Sequence, residues 1–350
     1  MKTKFFSFFA ASAMLFAASC SSTDIEESLL PEESVKGESL TVNLTVPTND
    51  IPRSRAVADG WGLRCVLWLV SLDAEGNPVV DESGRKAKMQ VMSTAYTEGV
   101  SLKFTGVEPG KYAICGFCGY FKDGIETLDS EAPYELSYVG LVNGDAPHFP
   151  VDMKSNYEDA ANSDNNMINF NNNLYDCWKG KVEFTKDDTN ASVSLNLKRA
   201  VSKVWFNNNN SSTGFNNSSL ASLKIYGGYD SGIDLWSDEA YAYRHSSINY
   251  TITDWTGLPS ASLVTMYLPK QSSLCSFSLT PTAKPELDLT FKKVTVKDLN
   301  FNRVNVFFTV LGNMLIDSGT NVEVDITMDD PDKWDNGITW PNPDIDYTNP

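Results

Sequence analysis

Histidine is almost missing: His148 and His245 are the only two in 350 residues. Neither has a nucleophile motif beside it, which argues against a Ser/His/Asp or Cys/His active site. Basic residues are also in deficit, 28 Lys and Arg against 45 Asp and Glu, for a net charge of -17. Such a chain repels nucleic acid and anionic headgroups, so nucleic-acid binding is excluded as a working function. No segment carries an i, i+3, i+4, i+7 apolar stripe for more than a couple of turns, so little helix is expected. A second CxxC is lacking, and no histidine ligand lies near Cys115 and Cys118. These two stand in the apolar run Tyr112 to Tyr120, which reads as a strand, and residues three apart on a strand face opposite sides. They are expected to be buried, inert thiols rather than a metal or redox pair. The cysteines beyond Cys20 are Cys65, Cys115, Cys118, Cys177 and Cys275, an odd set that cannot all pair within one chain.

Other chemistry is thin. Glycoside hydrolysis requires only two carboxylates, which any acidic chain supplies, so acid content alone is no support for it. Asp329, Asp332 and Asp335 have the density of a calcium loop but neither its spacing nor its closing glutamate, and read as a solvated acidic turn. Trp236, Tyr241, Tyr243, Trp255 and Trp340 could form a glycan-stacking platform, although core and interface packing is the commoner use of such rings. No enzyme activity, cofactor or metal is expected.

The start of the chain is informative. Lys2 and Lys4 precede an apolar run from Phe5 to Ala18 that ends in Ala17-Ala18-Ser19-Cys20. A run of about 14 residues is short for a spanning helix and fits a cleaved signal peptide with a lipobox, residues 1–19, leaving Cys20 as the lipidation site. Residues 20–38 hold Asp24, Glu26, Glu27, Glu32, Glu33 and Glu38 with little to pack, and read as an acidic tether.

Beyond the tether, period-two alternation recurs. Leu40, Val42, Leu44 and Val46 point one way while Thr41, Asn43 and Thr45 point the other. Similar strands are expected over 64–72, 88–93, 100–105 and 111–120. After the polar stretch 157–173 further strands are expected over 181–185, 192–197, 201–206, 220–226, 263–268, 276–280, 287–296, 304–311 and 322–328. This predicts an all-β chain of two tandem β-sandwich domains of transthyretin-like or Greek-key type, residues 39–160 and 161–328. Residues 329–350, rich in proline, are an extended tail.

Two stretches resemble the fimbrillin-like lipoproteins of Bacteroidales, relatives of type V pilins. Leu174-Tyr-Asp-Cys-Trp178 followed by Val193-Ser-Leu-Asn-Leu-Lys-Arg-Ala-Val-Ser-Lys-Val-Trp205 is similar to that group's Asp-x-Phe/Trp element and its strand ending in Leu-Lys-Arg. Arg303-Val-Asn-Val-Phe-Phe-Thr-Val-Leu-Gly-Asn-Met-Leu315 resembles the group's closing element. The acidic residues after Cys20 also resemble a surface-export signal of Bacteroidetes lipoproteins. The resemblance implies a lipid-anchored protein of the outer membrane and cell surface, trimmed by an Arg-specific protease and polymerised with other pilin subunits by strand exchange, with a role in adhesion.

The implied processing site is Arg53 and Arg55, which also read as a solvated turn after an edge strand. Leu40, Val42, Leu44 and Val46 would form the strand removed, and Ile338 and Trp340 of the tail are candidate knobs of the strand donated. Pro341 and Pro343 remove two ladder donors there, which leaves 322–328 as the other candidate donor. Left uncleaved, the protein would stay lipid-anchored, as an anchor subunit or a stand-alone surface protein. The alternative reading is a glycan-binding surface lipoprotein of a nutrient-uptake system, and the surface ligands, host or bacterial, are left open.

Overall fold

The computed structural model describes residues 38–47, 61–79, 89–97, 99–122, 134–135, 149–153, 175–187, 189, 191–208, 219–252, 262–318, 326–328 and 332–333. Among these residues every regular element is a β-strand and none is an α-helix, as the alternating pattern predicts.

The strands are β1 (Glu38–Thr45), β2 (Trp61–Leu72), β3 (Met89–Ala95), β4 (Ser101–Val107), β5 (Gly110–Lys122), β6 (Tyr134–Glu135), β7 (Pro150–Met153), β8 (Trp178–Lys186), β9 (Ala191–Asn196) and β10 (Lys198–Arg199). They continue with β11 (Val201–Asn208), β12 (Leu220–Asp234), β13 (Tyr241–Ile252), β14 (Ser262–Pro269), β15 (Cys275–Ala283), β16 (Val294–Leu299), β17 (Val306–Gly312), β18 (Ile326–Met328) and β19 (Asp332–Lys333). They form four sheets. The first has the order β4-β1-β9, and the second β10-β8-β5-β2-β3. The third runs β14-β11-β17-β18 with β19 also on β17, and the fourth runs β16-β15-β12-β7-β6 with β13 also on β12.

The second sheet is covered on both faces. Cys65, Leu67 and Leu69 of β2, with Ile114, Cys118 and Tyr120 of β5, share a core with β1, β4 and β9. The alternate residues Val66, Trp68 and Val70, with Ala113, Cys115, Phe117 and Phe121, belong to the core of the third and fourth sheets. Trp68 meets Phe149 there with ring centroids 5.1 Å apart. Burial of both faces is why β2 and β5 read as continuous apolar runs, while β4 and β9, covered on one face, alternate.

The sheets cross the boundary expected at 160/161. Strands β8 and β9, which follow the boundary, pair with β5 and β1 and β8 carries β10, whereas β7, which precedes it, pairs with β12 in the fourth sheet and carries β6. Sequential order is a weak guide here because the ladder is chosen by which edges remain unpaired after the local hairpins close. Strands β6, β7, β10, β13 and β19 fall outside every expected stretch, the last of them pairing part of the expected tail with β17. Strand β13, which carries His245, lies along β12 as an edge among the described residues, and its sequence lacks an apolar stripe. Strand β7 is too short to show a period. The strand expected over 287–296 is displaced to β16, with turns and isolated bridging before it.

Close approach of the first two sheets depends on glycine. Gly116 and Gly180 are paired across β5 and β8, and a Cβ on Gly180 would stand 2.7 Å from the Asn196 carbonyl oxygen and 3.0 Å from Leu197. Backbone cannot yield as a side-chain tip can. Gly180→Ala is therefore expected to lower stability by about 1–3 kcal/mol, read as a lower urea midpoint at unchanged slope.

Candidate strand-binding site

Strand β1 is the middle strand of its sheet. It runs antiparallel to β4, with Leu40 opposite Phe104 and Val42 opposite Leu102. It runs parallel to β9 from Leu40 opposite Ala191 to Thr45 opposite Asn196. Leu40, Val42 and Val46 are 0 % exposed and Leu44 is 2 % exposed, in a core with Leu102 and Phe104 of β4 and Leu195 of β9, over a floor from the second sheet that includes Leu67, Leu69 and Ile114. The four residues expected to face one way do so.

The ends and outer face of β1 are tied as well. Leu44 N donates to Val100 O at 3.0 Å, and Leu197 N donates to Thr45 O at 2.9 Å. Val46 N donates to the Tyr96 hydroxyl at 3.2 Å. On the outer face Asn43 bridges both neighbours: its Nδ2 donates to Ser192 Oγ at 3.0 Å, and its Oδ1 accepts from Ser101 Oγ at 2.6 Å. Asn43 and Tyr96 carry no sequence signal of these roles, since each acts on a partner about 50 or more positions away.

Removal of β1 would leave two facing edges, one from β4 and one from β9, above an apolar floor. Four buried aliphatic side chains at about 1.5–3 kcal/mol each make an empty slot roughly 6–12 kcal/mol less favourable before any unpaired backbone is counted. A segment entering it must run antiparallel to β4 and parallel to β9, with apolar residues at every second position.

The two stretches that resemble the fimbrillin-like group meet in a buried clasp. Arg199 of β10 donates from Nε to Asp176 Oδ1 at 2.8 Å and from Nη2 to Oδ2 at 3.1 Å. Both side chains are 1 % exposed. A third bond goes from Arg199 Nη1 to Asn305 Oδ1 at 3.1 Å, and the guanidinium lies over the Trp178 ring at 5.5 Å. Asn305 sits at φ 57°, a left-handed conformation that asparagine tolerates, and its N–H donates to Val201 O at 3.0 Å. Burial pushes the Asp176 carboxyl up, opposed by the charge and hydrogen bonds of Arg199. The clasp thus ties the second sheet, through β10, to the lead-in of β17 in the third.

Other expectations resolve residue by residue. Cys20, Arg53, Arg55, Ile338 and Trp340 lie outside the described residues. Cys115 and Cys118 do face opposite sides of β5, in different cores. Trp236, offered as part of a glycan platform, is 8 % exposed and packs in the core, with Lys181 Nζ 4.3 Å above its ring. The Lys179 ammonium beside it is held by Asp234 O and Ser237 O at 2.7 and 2.6 Å, and burial lowers its affinity for the proton.

No protein-family profile and no curated protein matches the sequence. Among solved structures, a proposed polysaccharide-binding protein of Bacteroides thetaiotaomicron is similar at 12 % identity and TM-score 0.46, over 83 % of this chain and 96 % of that one. The fimbrial anchor protein Mfa2 of Porphyromonas gingivalis is similar at 11 % identity and TM-score 0.40, over 83 % and 97 %. A fimbrial assembly protein of Parabacteroides distasonis is similar at 12 % identity and TM-score 0.38, over 83 % and 98 %.

Proposed function

We propose that this chain is a fimbrillin-like surface lipoprotein, anchored to the outer membrane through acylated Cys20, that assembles with other subunits by strand exchange and serves adhesion. The observation that carries the reading is the place of β1: a central strand, paired on both sides, with four apolar side chains buried beneath it. Cleavage after Arg53 or Arg55 would separate that strand from the body of the protein, and a neighbouring subunit would fill the vacancy. Without cleavage the slot stays occupied, and the protein is the lipid-held end of a polymer.

The segment Val322, Glu323, Val324, Asp325, Ile326, Thr327, Met328 repeats the pattern of Leu40 to Val46 position by position. Apolar residues fall at the same four places, Thr327 stands for Thr45, and Asp325 stands for Asn43 with the acceptor oxygen that Ser101 requires. Its last three residues form β18 and pair only with β17 among the described residues. This makes residues 322–328 of a second subunit the favoured donor, ahead of the tail around Ile338 and Trp340, whose prolines interrupt a ladder.

Surface material from cells carrying the wild-type chain is expected to begin at Ser54 or Ala56 and to give heat- and detergent-resistant ladders on gels. The Arg53→Ala, Arg55→Ala double variant is expected to keep acylated Cys20 and to lose the ladder, as read by mass spectrometry of the N-terminus. Acylated Cys20 throughout the wild-type material, with no ladder, would overturn polymerisation by this subunit and leave a tethered surface protein.

A further inference from the structure

We propose that Cys65 and Cys118 are joined by a disulfide across β2 and β5 in the exported protein, a covalent cross-link beneath the β1 slot. The two residues are direct partners in the antiparallel ladder. Both belong to the core they share with β1. Directly opposed residues of an antiparallel pair have Cα atoms about 4.5 or 5.5 Å apart, and both spacings fall within the range of about 4.4–6.8 Å that a disulfide spans. Both side chains are buried in that core, and burial, reinforced by the neighbouring Cys65, holds the Cys118 thiol well above its ordinary value.

The other thiols are excluded by position. Cys115 is opposite Trp68 and Lys181 and faces the other core, as do Cys177 and Cys275. Cys118 is opposite Trp178 on β8, which puts Cys177 one residue out of register with it. Of the five cysteines after Cys20, Cys65 and Cys118 are thus directly opposed in a ladder and share a core, while the other three belong to the opposite core.

The step requires a two-electron oxidant, here a disulfide-bearing thiol oxidant of the cell envelope. One cysteine thiolate attacks that disulfide and forms a mixed disulfide. The second thiolate then attacks the protein sulfur, forming the Cys65–Cys118 bond and releasing the oxidant as a dithiol. Two protons and two electrons leave the protein in all. Both residues are 0 % exposed once folded, so the exchange belongs to the folding chain, before the first sheet closes over them. The finished bond is then sheltered from reductants in the same way.

The cross-link closes a loop of about 50 residues that contains β3 and β4, and stabilises mainly by restricting the unfolded chain. Its position gives it a second consequence. It fastens together the two strands that form the floor of the slot, where support is lost whenever β1 is absent. The cross-link rests on the proposed surface location only for its oxidant, because the pairing itself follows from the ladder.

Two measurements test it. The full chain, refolded from denaturant in a glutathione redox buffer, is expected to yield a peptide linking Cys65 to Cys118, with Cys115, Cys177 and Cys275 alkylated. Its melting temperature should fall when reductant is present during refolding, whereas Cys65→Ala should melt at the same temperature with and without reductant. A refolded chain with all thiols alkylated, or one linked Cys118 to Cys177, would overturn the pairing. In the second arm, protein isolated from cells is alkylated before any reduction. The linked peptide from acylated surface material supports the proposal, and free Cys65 and Cys118 in that material overturn it. Linkage on refolding combined with a chain found unacylated inside the cell would refute the surface-lipoprotein reading and, with it, the cross-link in life, while leaving the geometric pairing intact.

Discussion

Replacement of Arg199 by alanine is expected to destabilise the protein by about 3–5 kcal/mol, because it strands the Asp176 carboxylate in an apolar interior. The pair makes two parallel hydrogen bonds at 2.8 and 3.1 Å with both side chains 1 % exposed. The carboxylate would keep the Cys177 N–H and the charge of Lys203, neither of which reproduces the guanidinium's fork-shaped donation to both oxygens. Arg199→Lys should recover only a fraction of the loss, since an ammonium cannot bond both carboxylate oxygens and Asn305 together. The double replacement Asp176→Leu, Arg199→Met removes the unpaired charge and is expected to be far milder than Arg199→Ala, near neutrality. Urea unfolding of the three variants separates these outcomes. A loss below about 1 kcal/mol in Arg199→Ala would mean that the clasp is not what holds β10 to the third sheet.

A chain beginning at Ala56 is expected to be strongly destabilised, and a peptide with the sequence of residues 38–46 added in trans should restore its stability. Vacating β1 exposes the floor beneath four aliphatic side chains, an effect of roughly 6–12 kcal/mol, which is comparable with the whole stability of a typical domain. The rescue should grow with the logarithm of peptide concentration, as mass action requires. It should vanish for a peptide carrying Val42→Asp, whose carboxylate would enter the apolar floor. Thr45→Asp in the same peptide changes an exposed position and should leave rescue largely intact. A peptide of residues 322–328 is expected to rescue and a peptide of residues 338–347 is not. The reverse result would assign donation to the tail. Failure of the 38–46 peptide to bind the truncated chain would remove strand exchange altogether.

Much of this site is written locally. The alternation of Leu40, Val42, Leu44 and Val46 predicts a half-buried strand, and they are buried on one face. The three-residue spacing of Cys115 and Cys118 predicts opposite faces, and the two thiols enter separate cores. Such inferences need only the pleat of a single strand, which is why they hold without knowledge of the rest of the molecule. The glycan platform failed at Trp236 because aromatic residues pack and stack with the same ring, and composition does not say which. The domain boundary at 160/161 failed to divide the sheets because β8 to β10 are indistinguishable, as isolated strings, from strands of the later sheets.

By itself the amino-acid sequence determined the class of element, the buried face of each well-patterned strand and the scarcity of residues for nucleophilic or metal chemistry, since each depends on side-chain period or residue type alone. Tertiary structure decided the rest: that β1 is the centre of its sheet rather than an edge, that Asp176, Arg199 and Asn305 converge, and that Cys65 lies opposite Cys118. Backbone donors and acceptors are the same in every strand. Which ladder forms is therefore settled by the fit of whole faces brought together from distant parts of the chain, and no local pattern contains that choice.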